Sequence, residues 1–165
     1  DTMPAVTLQY NDSETHALVA EVVQEMFANV LGVNVELNSI EWASHLDALE
    51  NDAPQIFRVA WCYDYPDANN WMFDVFRSDS GYATDGGNSI NWVNEEFDSL
   101  LFQAAAESDP EVRRDLYGQA EYILVWQDAG IAPLFYYGKT LLVAPELDAP
   151  YTYTNIERFD KWVLK

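Results

Sequence analysis

Val6-Thr7-Leu8-Gln9-Tyr10 and Val33-Asn34-Val35-Glu36-Leu37, with the apolar-striped segment between them, decide the fold. Both pentads alternate apolar and polar residues, the period-two signature of half-buried strands. Between them Leu18, Val19, Val22, Val23, Met26, Phe27, Val30 and Leu31 recur at helical spacing and draw one apolar stripe. Asn11-Asp12-Ser13 supplies turn and N-cap chemistry before this helix, and Gly32 supplies the cap that ends it. Strand, long helix, strand favours a right-handed crossover and a parallel pair, so the chain opens as a βαβ unit of an α/β fold.

Working outward, Trp42, Leu46 and Leu49 predict a shorter helix over about 41–50, and residues 55–62 read as a third strand. Residues 63–71 then turn dense in turn formers, aromatics and acids. A short helix is expected over 71–77, then a loop over 78–91 containing Gly81, Gly86 and Gly87. Phe97, Leu100, Leu101, Ala104 and Ala105 share one helical face, and Asp109-Pro110-Glu111 opens the next helix with a cap, an N1 proline and an acid. Val112, Leu116, Ala120, Ile123 and Leu124 form its buried side. Residues 131–137 and 140–143 read as two further strands, and 145–150 opens a less regular tail.

At 165 residues the chain amounts to about one domain. Eight Lys and Arg against 28 Asp and Glu leave a net charge of −20, a field that repels phosphate backbones and anionic membrane surfaces and excludes nucleic-acid binding. With 49% apolar residues the chain carries a real core, unlike a disordered acidic tail. No apolar run approaches the ~20 residues that cross a bilayer, and the first ten residues lack the basic and apolar regions of a signal peptide. The single cysteine, Cys62, has no internal disulfide partner and reads as a small buried hydrophobe. His16 and His45, both in helical patterns, read as solvated or helix-capping residues.

Catalytic signatures such as Gly-x-Ser-x-Gly or His-Glu-x-x-His do not occur, and no cofactor is expected. Asp64, Asp67, Asn69, Asn70 and Asp74 invite a calcium reading, but the order of an EF-hand loop is missing and solvated turn acids fit better. An alternative function is a secreted carbohydrate-binding or glycoside-active protein, with Asp64 and Asp67 or Asp74 as paired carboxylates and Trp61, Trp71 and Trp92 as sugar platforms. A third is an interaction domain whose acidic face recruits a basic partner. The reading favoured here places Asp64 just past the C-terminal end of a central strand, where ligands bind in α/β sheets. One carboxylate desolvated among aromatics can hold an ammonium group, such as a peptide N-terminus, unless it merely caps its own turn.

These residues resemble a family. Ala60-Trp61-Cys62-Tyr63-Asp64-Tyr65-Pro66-Asp67 is similar to the Trp-x-x-Asp-Tyr-x-(Asp/Glu)-Pro segment of the solute-binding proteins of oligopeptide and dipeptide ABC importers, extracellular family 5. Asn94-Glu95-Glu96-Phe97-Asp98-Ser99-Leu100-Leu101 resembles the family's Asn-Pro-x-Phe-Asp-x-Leu helix start. The helix from Asp109 and the stretch Ile131-Ala132-Pro133-Leu134-Phe135-Tyr136-Tyr137 follow in the family's order. The departures are Ala68, where the family usually has proline, and Glu95, which replaces the proline of the helix start.

The resemblance implies one lobe, the C-terminal one, of a hinged two-lobe periplasmic-binding-protein fold, a mixed sheet flanked by helices. Residues 1–144 would form the ligand-binding lobe, and 145–165 a tail returning to a missing N-terminal lobe of the same protein. It implies no enzyme but a carrier that takes oligopeptides or dipeptides in the interlobe cleft and delivers them to ABC permease membrane subunits. Such a carrier is extracytoplasmic, in the periplasm or lipid-anchored at the outer face of the membrane. By motif position, Asp64 would pair with the peptide α-ammonium, Trp61, Cys62 and Tyr63 would line that site, and Asn88 and Ser89 would contact the peptide main chain. Tyr136 and Tyr137 would face the cleft, and Cys62 would be a free thiol. Ligand identity is left open by the resemblance.

Overall fold

The computed structural model describes residues 5–80, 90–138, 140–150 and 158–165. Strand β1 (Val6–Asn11), helix α1 (Glu14–Met26) and strand β2 (Val35–Ile40) form the expected βαβ unit, with β1 and β2 parallel and Val6 opposite Val35. Helix α1 widens into a π turn over Phe27–Leu31 and stops at Gly32, whose φ of 67° is the left-handed geometry a cap requires. The Gly32 and Val33 N–H groups donate to the carbonyls of Ala28 and Phe27, satisfying the helix end. Helix α2 (Trp42–Asn51) follows, capped by the Glu41 side chain, and leads to strand β3 (Ile56–Phe57). The sheet runs β2-β1-β3 and is parallel throughout.

Alternation along β1 divides the packing between the two faces of the sheet. Leu8 and Tyr10 join Ala20 and Val35 in a core against which Val23 and Phe27 of α1 pack. Gln9 points the opposite way, to buried His45 of α2. The apolar stripe of α1 is wider than the sheet beneath it. Leu18, Val22, Met26, Val30 and Leu31 are therefore exposed, and the inner row Val19, Val23 and Phe27 is half-buried, where the sequence predicts one buried face.

A second core is helical. Helix α3 (Ala68–Trp71) runs into a π turn over Met72–Phe76, helix α4 (Glu95–Ala106) is capped by Asn94, and helix α5 (Pro110–Tyr122) continues into a π turn over Ile123–Gln127. Phe97, Leu101, Ala104, Tyr117, Ala120, Ile123 and Leu124 bury one another with Met72. Asp109 accepts from the N–H groups of Glu111 and Val112 at 2.9 and 3.2 Å, the cap expected from Asp109-Pro110-Glu111.

Three sequence expectations are corrected. The third strand ends at Phe57 rather than running to residue 62, so Val59 and Cys62 lack sheet neighbours and lie exposed; the buried environment expected for Cys62 does not form. Residues 131–137 form no strand, nor do the described residues of 140–143; among the described residues no strand adjoins them, and Tyr136 and Leu142 are almost wholly exposed. An apolar run becomes a strand only when a partner takes its backbone hydrogen bonds. His45, expected at the surface, is fully buried. The tail forms a two-stranded antiparallel pair, β4 (Leu147–Asp148) with β5 (Val163–Leu164). Among the described residues no helix is long and apolar enough to cross a membrane.

Candidate functional site

The segment after β3 leaves the C-terminal edge of the parallel sheet, where side chains from several elements converge. Its first residue, Arg58, is fixed by its own backbone: the N–H donates to Gln9 O at 2.9 Å, and the carbonyl accepts from His45 Nε2 at 3.1 Å. The rest of the chain of contacts sets the histidine tautomer. Asn38 Nδ2 donates to Gln9 Oε1 and Gln9 Nε2 faces His45 Nδ1, both at 3.1 Å, so Nδ1 is the acceptor and Nε2 carries the proton. Burial pushes the His45 pKa down, in agreement with a neutral ring.

The Arg58 side chain lies with His16, Asn11 and Tyr137. His16 Nδ1 is 2.8 Å from Asn11 Oδ1 and 3.4 Å from the Arg58 guanidinium, while Tyr137 Oη accepts from Arg58 and stands 3.4 Å from His16 Nε2. Partial burial, and next the Arg58 charge, lower the His16 pKa. Arg58 has no carboxylate partner among the described residues, in a chain of 28 acids.

Six residues further on, Asp64 is exposed, and its backbone and carboxylate are both held by Asn70. The Asn70 carboxamide is buried, and every hydrogen-bonding position on it is used. Its Oδ1 accepts from Trp61 Nε1 at 3.1 Å and from the Asp64 N–H at 2.9 Å. Its Nδ2 donates to Asp74 Oδ2 at 3.0 Å and to Asp64 Oδ2 at 3.4 Å. Asp64 Oδ1 is left open among the described residues. Asp74 also accepts from Tyr65 Oη at 2.8 Å, and Tyr65 Oη accepts from Asn69 Nδ2 at 2.8 Å.

Asp67 serves a different purpose. It caps α3 through the Asn69 N–H at 2.8 Å and takes both Nη groups of Arg113, whose hydrogen bonds hold its carboxyl below the usual range. Among the described residues no cluster of His, Cys, Asp and Glu has the arrangement to hold a metal ion, and the five candidate calcium ligands are instead divided among caps, an ion pair and the Asn70 network.

Of the residues predicted for the site, Trp61, Tyr63 and Asp64 lie together in this segment, and Cys62 between them is an exposed free thiol. Tyr137 joins the Arg58 cluster, whereas Tyr136 is 94% exposed. Asn88 and Ser89 lie outside the described residues. Among the described residues the aromatic enclosure expected around Asp64 does not form, and the residue is exposed. Sequence reasoning passed over Arg58, read His16 as solvated or capping, and weighed Asn70 only as a calcium ligand. A single arginine just past a strand end in so acidic a chain was the available signal for Arg58; Asn70 carried none, since its burial depends on the turn.

Residues 2–83 match the family described as bacterial extracellular solute-binding proteins, family 5 Middle. The chain belongs to this family. It is 37% identical over 138 residues to the oligopeptide-binding protein OppA of Bacillus subtilis, covering 84% of the chain and 24% of that relative. It is 32% identical to the periplasmic murein peptide-binding protein MppA of Escherichia coli over 86% of the chain and 25% of that protein. The solved structure of the Escherichia coli murein tripeptide binding protein MppA superposes with a TM-score of 0.76 at 30% identity, over 92% of the chain and 28% of the other. Haemophilus influenzae OppA in complex with the peptide RPPGFSPFR gives 0.74 at 30% identity, over 87% of the chain and 27% of that structure. The chain thus spans about a quarter of the length of these family 5 relatives. The fold class expected from the sequence, one α/β lobe of a periplasmic peptide-binding protein, is the fold observed.

Proposed function

We propose that this chain is the C-terminal, ligand-binding lobe of a peptide carrier, holding an oligopeptide or dipeptide against Asp64 and Arg58. The observation that carries the reading is the charge arrangement of one short segment. Arg58 and Asp64 leave the same sheet edge six residues apart, the arginine without an acidic partner among the described residues and the aspartate with one carboxylate oxygen open. A zwitterionic main chain presents the complementary pair, an ammonium for Asp64 and a carboxylate for Arg58, each a charge-assisted contact. Titrating the full-length protein with a free peptide and with its N-acetylated and C-amidated forms tests this. Each block should weaken binding, and equal affinity for all three would refute the reading.

Residues 1–144 act as the lobe and 145–165 as the return to an N-terminal lobe of the same protein, which closes the cleft and supplies the enclosure that Asp64 lacks here. The loaded carrier docks on ABC permease membrane subunits at the outer face of the cell membrane, in the periplasm or on a lipid anchor. The names of the relatives, oligopeptide- and dipeptide-binding proteins, support binding without catalysis. The glycoside-active alternative gains no support from Asp67, whose carboxylate is committed to Arg113.

A further inference from the structure

Asp64 is the carboxylate that the proposed amine site offers to a ligand, yet nothing covalent or helical fixes it: it stands in an exposed turn. An aspartate so placed turns freely about its side-chain bonds, and a freely turning carboxylate must be ordered when a ligand binds. The buried carboxamide beneath it removes part of that cost. We propose that Asn70 is the positioning residue of the amine site, presetting Asp64 and Trp61 in one arrangement and holding Asp64 and Asp74 side by side; this rests on the peptide-carrier reading above.

The two halves of the Asn70 side chain do separate work. The acceptor half shapes the turn, taking the Trp61 indole N–H and the Asp64 backbone N–H. The donor half faces two carboxylates, Asp64 and Asp74, through a single nitrogen. Two like charges brought together raise the energy of the doubly ionised form, and a shared N–H donor offsets that repulsion. Asn70 is 2% exposed, so a ligand does not touch it and its influence passes through Asp64.

The test uses the full-length protein, with trialanine and N-acetyl-trialanine as probes and the ratio of the acetylated peptide's dissociation constant to the free peptide's as readout. Asn70→Leu, close in volume, should lower that ratio by about tenfold or more, the usual loss when a hydrogen bond to a charged group goes, while affinity for the acetylated peptide stays level. Adding Asn70→Leu to Asp64→Asn should change the ratio no further, because both act on one contact. A purely structural role would weaken both peptides by the same factor, and that result overturns the proposal. Failure of the carrier reading looks different: Asp64→Asn alone would leave the ratio unchanged, and both inferences would then fall. Should Asn70→Leu not fold, Asn70→Asp keeps the acceptor half and replaces the donor with a third carboxylate. A third carboxylate repels the other two, so the ratio should depend more strongly on pH in Asn70→Asp than in the unaltered protein. A flat profile in Asn70→Asp would equally overturn the assignment.

Discussion

Arg113 grips Asp67 across 46 positions of sequence, with Nη2 2.7 Å from Oδ1 and Nη1 2.9 Å from Oδ2. The planar guanidinium matches the carboxylate at both oxygens, a geometry lysine cannot reproduce. Arg113 further donates to Ala104 O at 3.1 Å and stacks over Tyr117, whose hydroxyl donates to Asn69 Oδ1 at 3.0 Å. The segment that carries Asp64 is thereby fastened to the helical core.

Asp67→Asn should therefore loosen that fastening while sparing the α3 cap, which needs only an oxygen. Both side chains are about one-third exposed, so the loss lies between the ~0–1 kcal/mol of a surface pair and the ~3–5 kcal/mol of a buried one, at about 1–2 kcal/mol. Urea unfolding at neutral pH measures it. Because the Asp67 pKa is lowered in the folded protein, its contribution is complete above the unfolded value of about 4 and is lost as pH falls through the folded one. The gap between the two proteins should close under acid, and a gap that persists at pH 2 would exclude the ion pair as its cause.

A second pH effect comes from His45. Its folded pKa is lowered, chiefly by burial, so between that value and the unfolded ~6.5 the unfolded chain binds more protons than the folded one. Stability is full above about pH 6.5 and declines as pH falls below it. Protonation would also point a second N–H at the amide nitrogen of Gln9. His45→Gln should flatten the curve between pH 7.5 and 5.5, once the contribution of His16, whose pKa is also lowered, is removed by His16→Gln. An unchanged slope in the double variant would mean that other groups govern it.

The βαβ unit was legible because its cues are local: alternation in β1 and β2, helical spacing in α1 and a glycine at the end of α1. The cap at Asp109 was legible for the same reason. Strand residues 131–137 misled because apolar alternation reports what a segment could bury and says nothing about whether a partner strand adjoins it. Asp64 was singled out from its place after a strand. Asn70 and Arg58 were not, since an asparagine in a turn gives no sign that it will be buried, and whether an arginine has an acidic partner is settled only by tertiary contacts.

The closed helical core and the outer row of α1 differ in burial and so in mutational cost. Leu101→Ala, in the helical core at 0% exposure, should destabilise the 165-residue chain by about 2–5 kcal/mol. Leu18→Gln, on the outer row at 63% exposure, should stay within about 0.5 kcal/mol of the parent. Chemical denaturation followed by far-ultraviolet circular dichroism compares them. A cost above 2 kcal/mol for Leu18→Gln would place that row in a buried interface in solution.

The amine-binding role proposed for Asp64 yields the sharpest contrast, in the full-length protein with the cleft closed over the ligand. Asp64→Asn keeps the size of the side chain, and its amide can still lie against Asn70, but it removes the charge. An ammonium buried without its counter-charge costs about 3–5 kcal/mol, whereas an exposed pair lost costs about 0–1, so calorimetric affinities separate the cases. N-acetylated peptide, already without the ammonium, should bind the unaltered protein weakly and lose little more to Asp64→Asn. The cycle removes any general damage to the turn, because damage of that kind would reach both peptides. If free and acetylated peptides weaken equally, Asp64 only shapes its own turn, and the ligand's amino end must be held elsewhere in the cleft.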